Sequence, residues 1–347
     1  MNKLNLPGPK AKALIERDDR IVSRSYPRDY PFVMGHGKGT EVWDVDGNRF
    51  LDFAAGIAVV STGHANSAVV KAIQDQAEQF IHISSDFYHE GWIRLSEKLG
   101  EIAPWVGPSR IFACNSGTEA VEASIKLARF HTKATQFVGF LGGFHGRTIG
   151  AVTFTASKAM YKNGFTPLMN GVVHVPFPNP YRPLLERRPG MGHGETVVAY
   201  IEEEIIARLI PPEDFAGILI EPIQGEGGDR HMRPQFFTAM RKLCDEFDAL
   251  LIFDEVQTGC GLTGTAWAYQ QLGVTPDIVA FGKKTQVCGI MAGGRVDEVP
   301  DNVFAVSSRL NSTWGGNLTD MVRARRILEV IEREGLFERS QRLGAHL

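Results

Sequence analysis

Residues 249–257 read Ala-Leu-Leu-Ile-Phe-Asp-Glu-Val-Gln. The first five are apolar without a break, and the run ends on a carboxylate. A short stretch of this kind fits a strand buried on both faces, as in a parallel sheet covered by helices. Moving outward, DIVAFG (277–282) and AGILIE (216–221) have the same character. RIFAC (110–114), QFVGF (136–140) and VVHV (172–175) are also strand-like. Helical periodicity over 118–131, 195–208 and 234–247 alternates with these strands, and a last helix is expected over 317–334. The pattern predicts an α/β fold, a mostly parallel sheet with helices on both faces. In open sheets of this type ligands bind beyond the carboxyl ends of the strands. The residues just after each strand are therefore the candidates for chemistry.

The N-terminal part is organised differently. A short helix is expected over 8–19. Residues 41–53 read as a β-hairpin whose turn is Asp46-Gly47. Helices follow over about 66–80 and 89–103. The stretch 177–194, rich in Pro, Gly and Arg, is read as a surface excursion of one domain.

Composition narrows the class. The chain has 347 residues, 43% hydrophobic and 22% charged, which excludes disorder, collagen and disulfide scaffolds. Its length suits roughly two domains. The net charge of −3 gives no basic field for nucleic acid. The four cysteines, 114, 244, 260 and 288, contain no Cys-x-x-Cys and fit neither a zinc site nor a disulfide framework. No metal site is expected, and free thiols point to a reducing cytoplasm. The N-terminus has no apolar signal region. The longest apolar run, Phe53 to Val60, is too short to span a bilayer.

Four strand-end features carry possible chemistry. Ser116-Gly117-Thr118 opens a helix after a strand, so free N–H groups and two hydroxyls could hold a phosphate. A plain N-cap explains the same residues. Asp254 is costly at the end of an apolar strand unless it meets a cation or several donors; a protonated pyridine nitrogen is one such cation, and a cap of the next loop is the alternative. Lys283, after DIVAFG, suits imine formation if a cleft desolvates it, although a lone lysine is more often solvated. Phe144 and His145, between glycines, could stack on a flat ring or tuck into the core.

Together these features match pyridoxal phosphate, which has a phosphate, a flat ring, a pyridinium nitrogen and an aldehyde. In this reading the acid keeps the ring nitrogen protonated. The lysine holds the aldehyde and then moves a proton between the substrate carbon and the cofactor.

At the same residues the sequence resembles the class III (omega-amino acid) aminotransferases. The segments Asn115-Ser116-Gly117-Thr118-Glu119-Ala120, Phe144-His145-Gly146, Glu221 to Gly228, Asp254-Glu255-Val256-Gln257 and Pro276-Asp277…Lys283 occur in the family's order. The resemblance implies fold type I, the aspartate-aminotransferase type, with pyridoxal 5′-phosphate as cofactor. It implies Lys283 as the lysine that binds the cofactor, Lys284 as its bystander and Asp254 as the pyridinium partner. Gly117 and Thr118 would hold the phosphate with Ser116 beside them. Phe144, with His145 next to it, would stack on one ring face and Val256 would pack on the other. Gln257 would reach the cofactor's phenolic oxygen or the substrate. Glu226 would pair with an arginine and release it when 2-oxoglutarate arrives. Thr313 would serve the partner subunit's phosphate in a homodimer.

By the same resemblance, 1–60 is the N-terminal part of a small domain and 61–316 the large cofactor domain. Residues 317–347 start a C-terminal small domain that is incomplete at Leu347. The stretch 281–317 is similar to the lysine 6-aminotransferase branch, and the N-terminal half to 4-aminobutyrate or ornithine aminotransferases. The expected activity moves an omega-amino group from L-lysine, or from 4-aminobutyrate, ornithine or acetylornithine, to 2-oxoglutarate. Two other readings stay open: an amino-acid racemase or aminomutase with the same cofactor, and a chain that binds the cofactor poorly or not at all.

Overall fold

Asp46 and Gly47 make the turn at the heart of the N-terminal sheet. Asp44 accepts from the backbone N–H groups of Asp46 and Asn48 at 3.0 and 2.8 Å, and Gly47 has φ +89°. The turn joins β2 (Glu41–Asp44) to β3 (Arg49–Leu51), and β1 (Met34–Lys38) completes an antiparallel sheet of three strands. β1 was not foreseen, because its sequence, MGHGK, carries two glycines and little apolar character. The Asp46 carboxylate also accepts from the N–H groups of Lys10 and Ala11, each at 2.9 Å, and so caps the helix Pro9–Ile21.

The computed structural model describes residues 6–107 and 109–347; the first five residues of the N-terminal stretch read above lie outside them. The chain divides into two units, 1–71 and 72–347.

The second unit is built on a sheet of seven strands. In chain order they are β4 (Arg110–Cys114), β5 (Gln136–Phe140), β6 (Val172–Val175), β7 (Phe215–Ile220), β10 (Leu250–Asp254), β11 (Ile278–Phe281) and β12 (Cys288–Ala292). Two short strands, β8 (Ile223–Gln224) and β9 (Arg230–His231), form a separate antiparallel pair. The spatial order is β4-β12-β11-β10-β7-β5-β6. All neighbours are parallel except those of β12, which runs antiparallel to β11 and β4.

The six expected strands form within a residue of their predicted bounds. β12 was missed, since CGIMA sits between glycines and polar turn residues. Gly289 is required in it: a Cβ there would lie 2.2 Å from the Phe112 carbonyl oxygen of the adjacent strand.

The sheet has a core on each face, as period-2 alternation demands. In β10, Leu251 and Phe253 enter one cluster, while Leu250 and Ile252 enter the other. In β11, Val279 and Phe281 oppose Ile278 and Ala280 in the same way. The helix Gly117–Thr132 covers the second face with Val121, Ile125 and Leu127. The helices Pro234–Glu246 and Leu318–Arg333 cover the first, through residues such as Phe236, Met240 and Met321. The helix expected over 195–208 is α-helical only over His193–Tyr200. It continues as a π turn, Ile201–Ile206, which buries Ile201, Ile205 and Ile206 together. Among the described residues, no helix is long and apolar enough to cross a membrane.

Candidate active site

Because β4, β5, β7, β10 and β11 all point the same way, their carboxyl ends deliver the candidate residues to one end of the sheet. Asp254 is the last residue of β10 and pairs in register with Ala280 of β11, three residues before Lys283. Its side chain is buried. Asp254 Oδ2 lies 2.8 Å from His145 Nδ1, and Oδ1 accepts from the Val256 N–H at 3.1 Å. His145 is equally buried. Burial disfavours its imidazolium, but the hydrogen bond and charge of Asp254 prevail and hold its pKa above the usual value.

On the neighbouring strand, β7, Glu221 follows the last residue. Burial pushes this carboxyl up to about 7; His145 opposes the rise and Asp254 adds to it. Its two oxygens accept from the N–H groups of Phe144, at 2.9 Å, and Gly225, at 3.3 Å.

Lys283 lies in the short turn Lys283–Thr285 between β11 and β12, with φ +48°. A lysine in the left-handed region is uncommon and often marks a site where the surrounding structure imposes the conformation. Its Nζ donates to Gln257 Oε1 at 2.9 Å. Burial lowers its pKa, while Asp254 and Glu221 resist the shift.

The helix Gly117–Thr132 starts directly after β4. Ser116 caps it, its Oγ accepting from the Glu119 N–H at 3.3 Å. Thr118 Oγ1 lies 2.8 Å from Thr148 Oγ1. Val256 sits between two glycines. A Cβ on Gly117 would be 3.0 Å from one of its methyl carbons, and a Cβ on Gly282 3.4 Å from the same carbon. On the other side, Phe144 meets the ring of Tyr161 edge-on at 5.5 Å, and the Arg147 guanidinium lies 4.6 Å over Tyr161.

Glu226 Oε1 accepts from Lys158 Nζ at 2.6 Å and from the Tyr161 hydroxyl at 2.9 Å. The partners of Glu226 in this structure are thus Lys158 and Tyr161. Burial alone would raise the carboxyl, but Lys158 and the Tyr161 hydroxyl help to hold it below its usual value.

Ser116, Gly117, Thr118, Phe144, His145, Glu226, Asp254, Val256, Gln257 and Lys283 thus belong to one connected cluster. Thr313 stands apart from it, exposed to solvent; its neighbour Ser312 accepts from Asn115 Nδ2 at 3.1 Å. The reading from sequence missed Glu221, Lys158 and Tyr161 as members. Glu221 was visible as the polar residue after a strand, but nothing in the sequence indicates which N–H groups it meets. This donor set suits a ligand with a phosphate, a flat cationic ring and an aldehyde.

The class-III aminotransferase family profile matches residues 22–347. The chain belongs to this family. It is 48% identical over 325 residues to the L-lysine-epsilon aminotransferase of Mycobacterium tuberculosis, covering 87% of this chain and 70% of that protein. It is 39% identical to the acetylornithine aminotransferase of Methanosarcina acetivorans, with 98% and 78% of the two chains covered. The alanine/serine racemase of Pyrococcus horikoshii is 36% identical, with 97% and 72% covered. Among solved structures, lysine aminotransferase from M. tuberculosis in the internal aldimine form superposes with a TM-score of 0.82 and 44% identity. The match covers 95% of this chain and 78% of that one. Class-III aminotransferases use pyridoxal phosphate and have fold type I, to which the sheet described above conforms.

Proposed function

We propose that this class-III aminotransferase takes the omega-amino group of L-lysine, or of a closely similar omega-amino acid, and passes it to 2-oxoglutarate. The observation that carries the donor is the 48% identity to the lysine-epsilon enzyme of M. tuberculosis. The cluster at the strand ends supports the chemistry.

The residues present fit the cofactor. The helix start at Ser116, Gly117 and Thr118 offers N–H groups and hydroxyls to its phosphate. Val256 and Phe144 would bound its ring on opposite faces. Asp254 would face the ring nitrogen, with His145 hydrogen-bonded to its Oδ2. Gln257 would reach the phenolic oxygen or the substrate. When bound, pyridoxal phosphate supplies an electron sink for the carbon that loses its proton. The chain supplies the rest. Lys283, desolvated and less basic than a free lysine, is suited to take up and give back a proton at Nζ. Glu226 places a negative charge in the cleft, which Lys158 balances and the Tyr161 hydroxyl hydrogen-bonds. It would be the group displaced when a second carboxylate enters with 2-oxoglutarate.

The reading includes a homodimer. Thr313 is exposed, and Ser312 beside it borders a groove of 690 Å³ that Phe87 and Tyr88 also line. Both aromatics are exposed, which suits a surface completed by a second copy. Thr313 would then serve the partner's phosphate, in a cytoplasmic enzyme.

The test is a donor screen on the holoenzyme with 2-oxoglutarate as acceptor. Glutamate should form fastest with L-lysine. Faster turnover with acetylornithine or 4-aminobutyrate would replace the donor. Absence of glutamate together with inversion of the donor's stereocentre would move the chain to the racemase reading that its similarity to the P. horikoshii enzyme offers.

A further inference from the structure

Lys284 follows the proposed reacting lysine and contributes nothing to the surface. It is 3% exposed. An ammonium at that depth needs a reason, because burial without good partners is costly. Its Nζ donates to the backbone carbonyl of Gln257. The side chain of that same Gln257 accepts from Lys283 Nζ at 2.9 Å. Two consecutive lysines therefore hold one glutamine, the first by its amide oxygen and the second by its backbone. A third constraint comes from Gly225. A Cβ there would lie 2.6 Å from Gln257 Nε2, so the amide lies flat against a residue that has no side chain.

We propose that Lys284 is a positioning residue: it fixes Gln257 so that Gln257 Oε1 receives and orients the amine of Lys283 when that amine is free. An acceptor held in one place takes one N–H of Lys283 and leaves its lone pair aimed away from Gln257, toward the cleft. A mobile glutamine would let the amine sample rotamers that cannot exchange a proton with substrate. This inference rests on the reading of Lys283 given above.

The charged and titratable groups facing Lys284 are Glu255, Cys260 and Lys283. Burial pushes its pKa down to about 8; Lys283 adds to the fall, while Cys260 and Glu255 oppose it. The strength of its hold on Gln257 therefore changes near that pH, as the ammonium becomes an amine.

The experiment compares holoenzyme carrying Lys284→Met, Lys284→Arg and Lys283→Ala. Lys284→Met keeps the length of the side chain and removes the donor. Its folding is checked by circular dichroism. We expect kcat to fall about 10- to 100-fold, the cost of a misplaced reacting group, with KM for the donor within about twofold. The pH at which the bound cofactor's absorbance changes should also move. Lys284→Arg, which retains a donor, should recover part of kcat. If Lys284→Met is folded and has the parent's kcat and spectral titration, Lys284 is only packing and the proposal is overturned. If Lys284→Met fails to fold, Lys284→Arg decides alone: a parental spectral titration and kcat support the role of the donor, and a folded but slow variant with an unshifted titration overturns it. If Lys283→Ala retains cofactor attachment and turnover, the reading of Lys283 fails and the role of Lys284 falls with it.

Discussion

Two acid–lysine pairs lie at the ends of β10 and β11, one residue apart in sequence and on opposite sides of the sheet end. Asp254 and Lys283 face the cluster of proposed cofactor ligands. Glu255 and Lys284 turn inward. Asp254 shares its hydrogen bonds with His145 and the Val256 N–H. Glu255 is fully buried; it accepts from the Thr258 hydroxyl at 2.6 Å and from the N–H groups of Ala268 and Tyr269 at 2.9 and 2.8 Å. Neighbouring residues of like charge thus have unlike work. In the proposed function the outer pair carries the chemistry. The inner pair organises the loops that present it. Three hydrogen bonds meet part of the cost of burying Glu255, yet burial still raises its pKa and pushes that of Lys284 down to about 8, just as it lowers that of Lys283.

If this division is right, the pairs should fail in different ways. Lys283→Ala should abolish turnover, with a loss of at least about 10⁴-fold, the upper end of what a positioned proton-transfer group contributes. Its melting temperature should stay level or rise, because a desolvated amine has been removed. A variant that unfolds while its surviving fraction stays active would break the comparison. Glu255→Ala should do the reverse. Three buried donors would lose their acceptor, costing about 3 kcal/mol of stability in urea denaturation, and turnover per folded molecule should remain within a few-fold. A stable but inactive Glu255→Ala would place the inner pair in the chemistry as well.

The smallest effect sharpens the boundary between the pairs. Glu221 has a folded pKa of about 7 against an ordinary 4.5. Between those values the native state binds more protons than the unfolded chain, so stability falls as pH rises through that window. The penalty is complete above about 7 and absent below about 4.5. Glu221→Gln removes the titration. Relative to the parent, its melting temperature by calorimetry should be more favourable at about pH 8.5 than at about pH 5. An equal difference at both values would mean that Glu221 is not held neutral by its surroundings.

Much of the fold was legible because the buried strands are long apolar runs ending on polar residues. Asp254 and Lys283 stood out for that reason: a charge that terminates such a run must be placed by the strand. β12 was not legible, since a strand needing glycine for close backbone approach loses the pattern that identifies strands. The partner of Glu226 was not legible either. Lys158 reaches it from a loop 68 residues earlier, and no local periodicity records that approach. Lys284 illustrates the deepest limit. From sequence it is a second, solvated lysine; its burial depends on the turn that sends Lys283 outward.

The in-register pairing of Asp254 with Ala280 has one more consequence. Side chains alternate along a strand, so a slip of β10 by one residue would bring Glu255 to the place of Asp254 and drive Phe253 and Leu251 out of their own core cluster. The aromatic and aliphatic side chains beneath the site therefore act as a proofreader for it. An arrangement that misaligns the carboxylate also misfiles the core, and such a chain would be discarded as misfolded before it could act as a faulty catalyst.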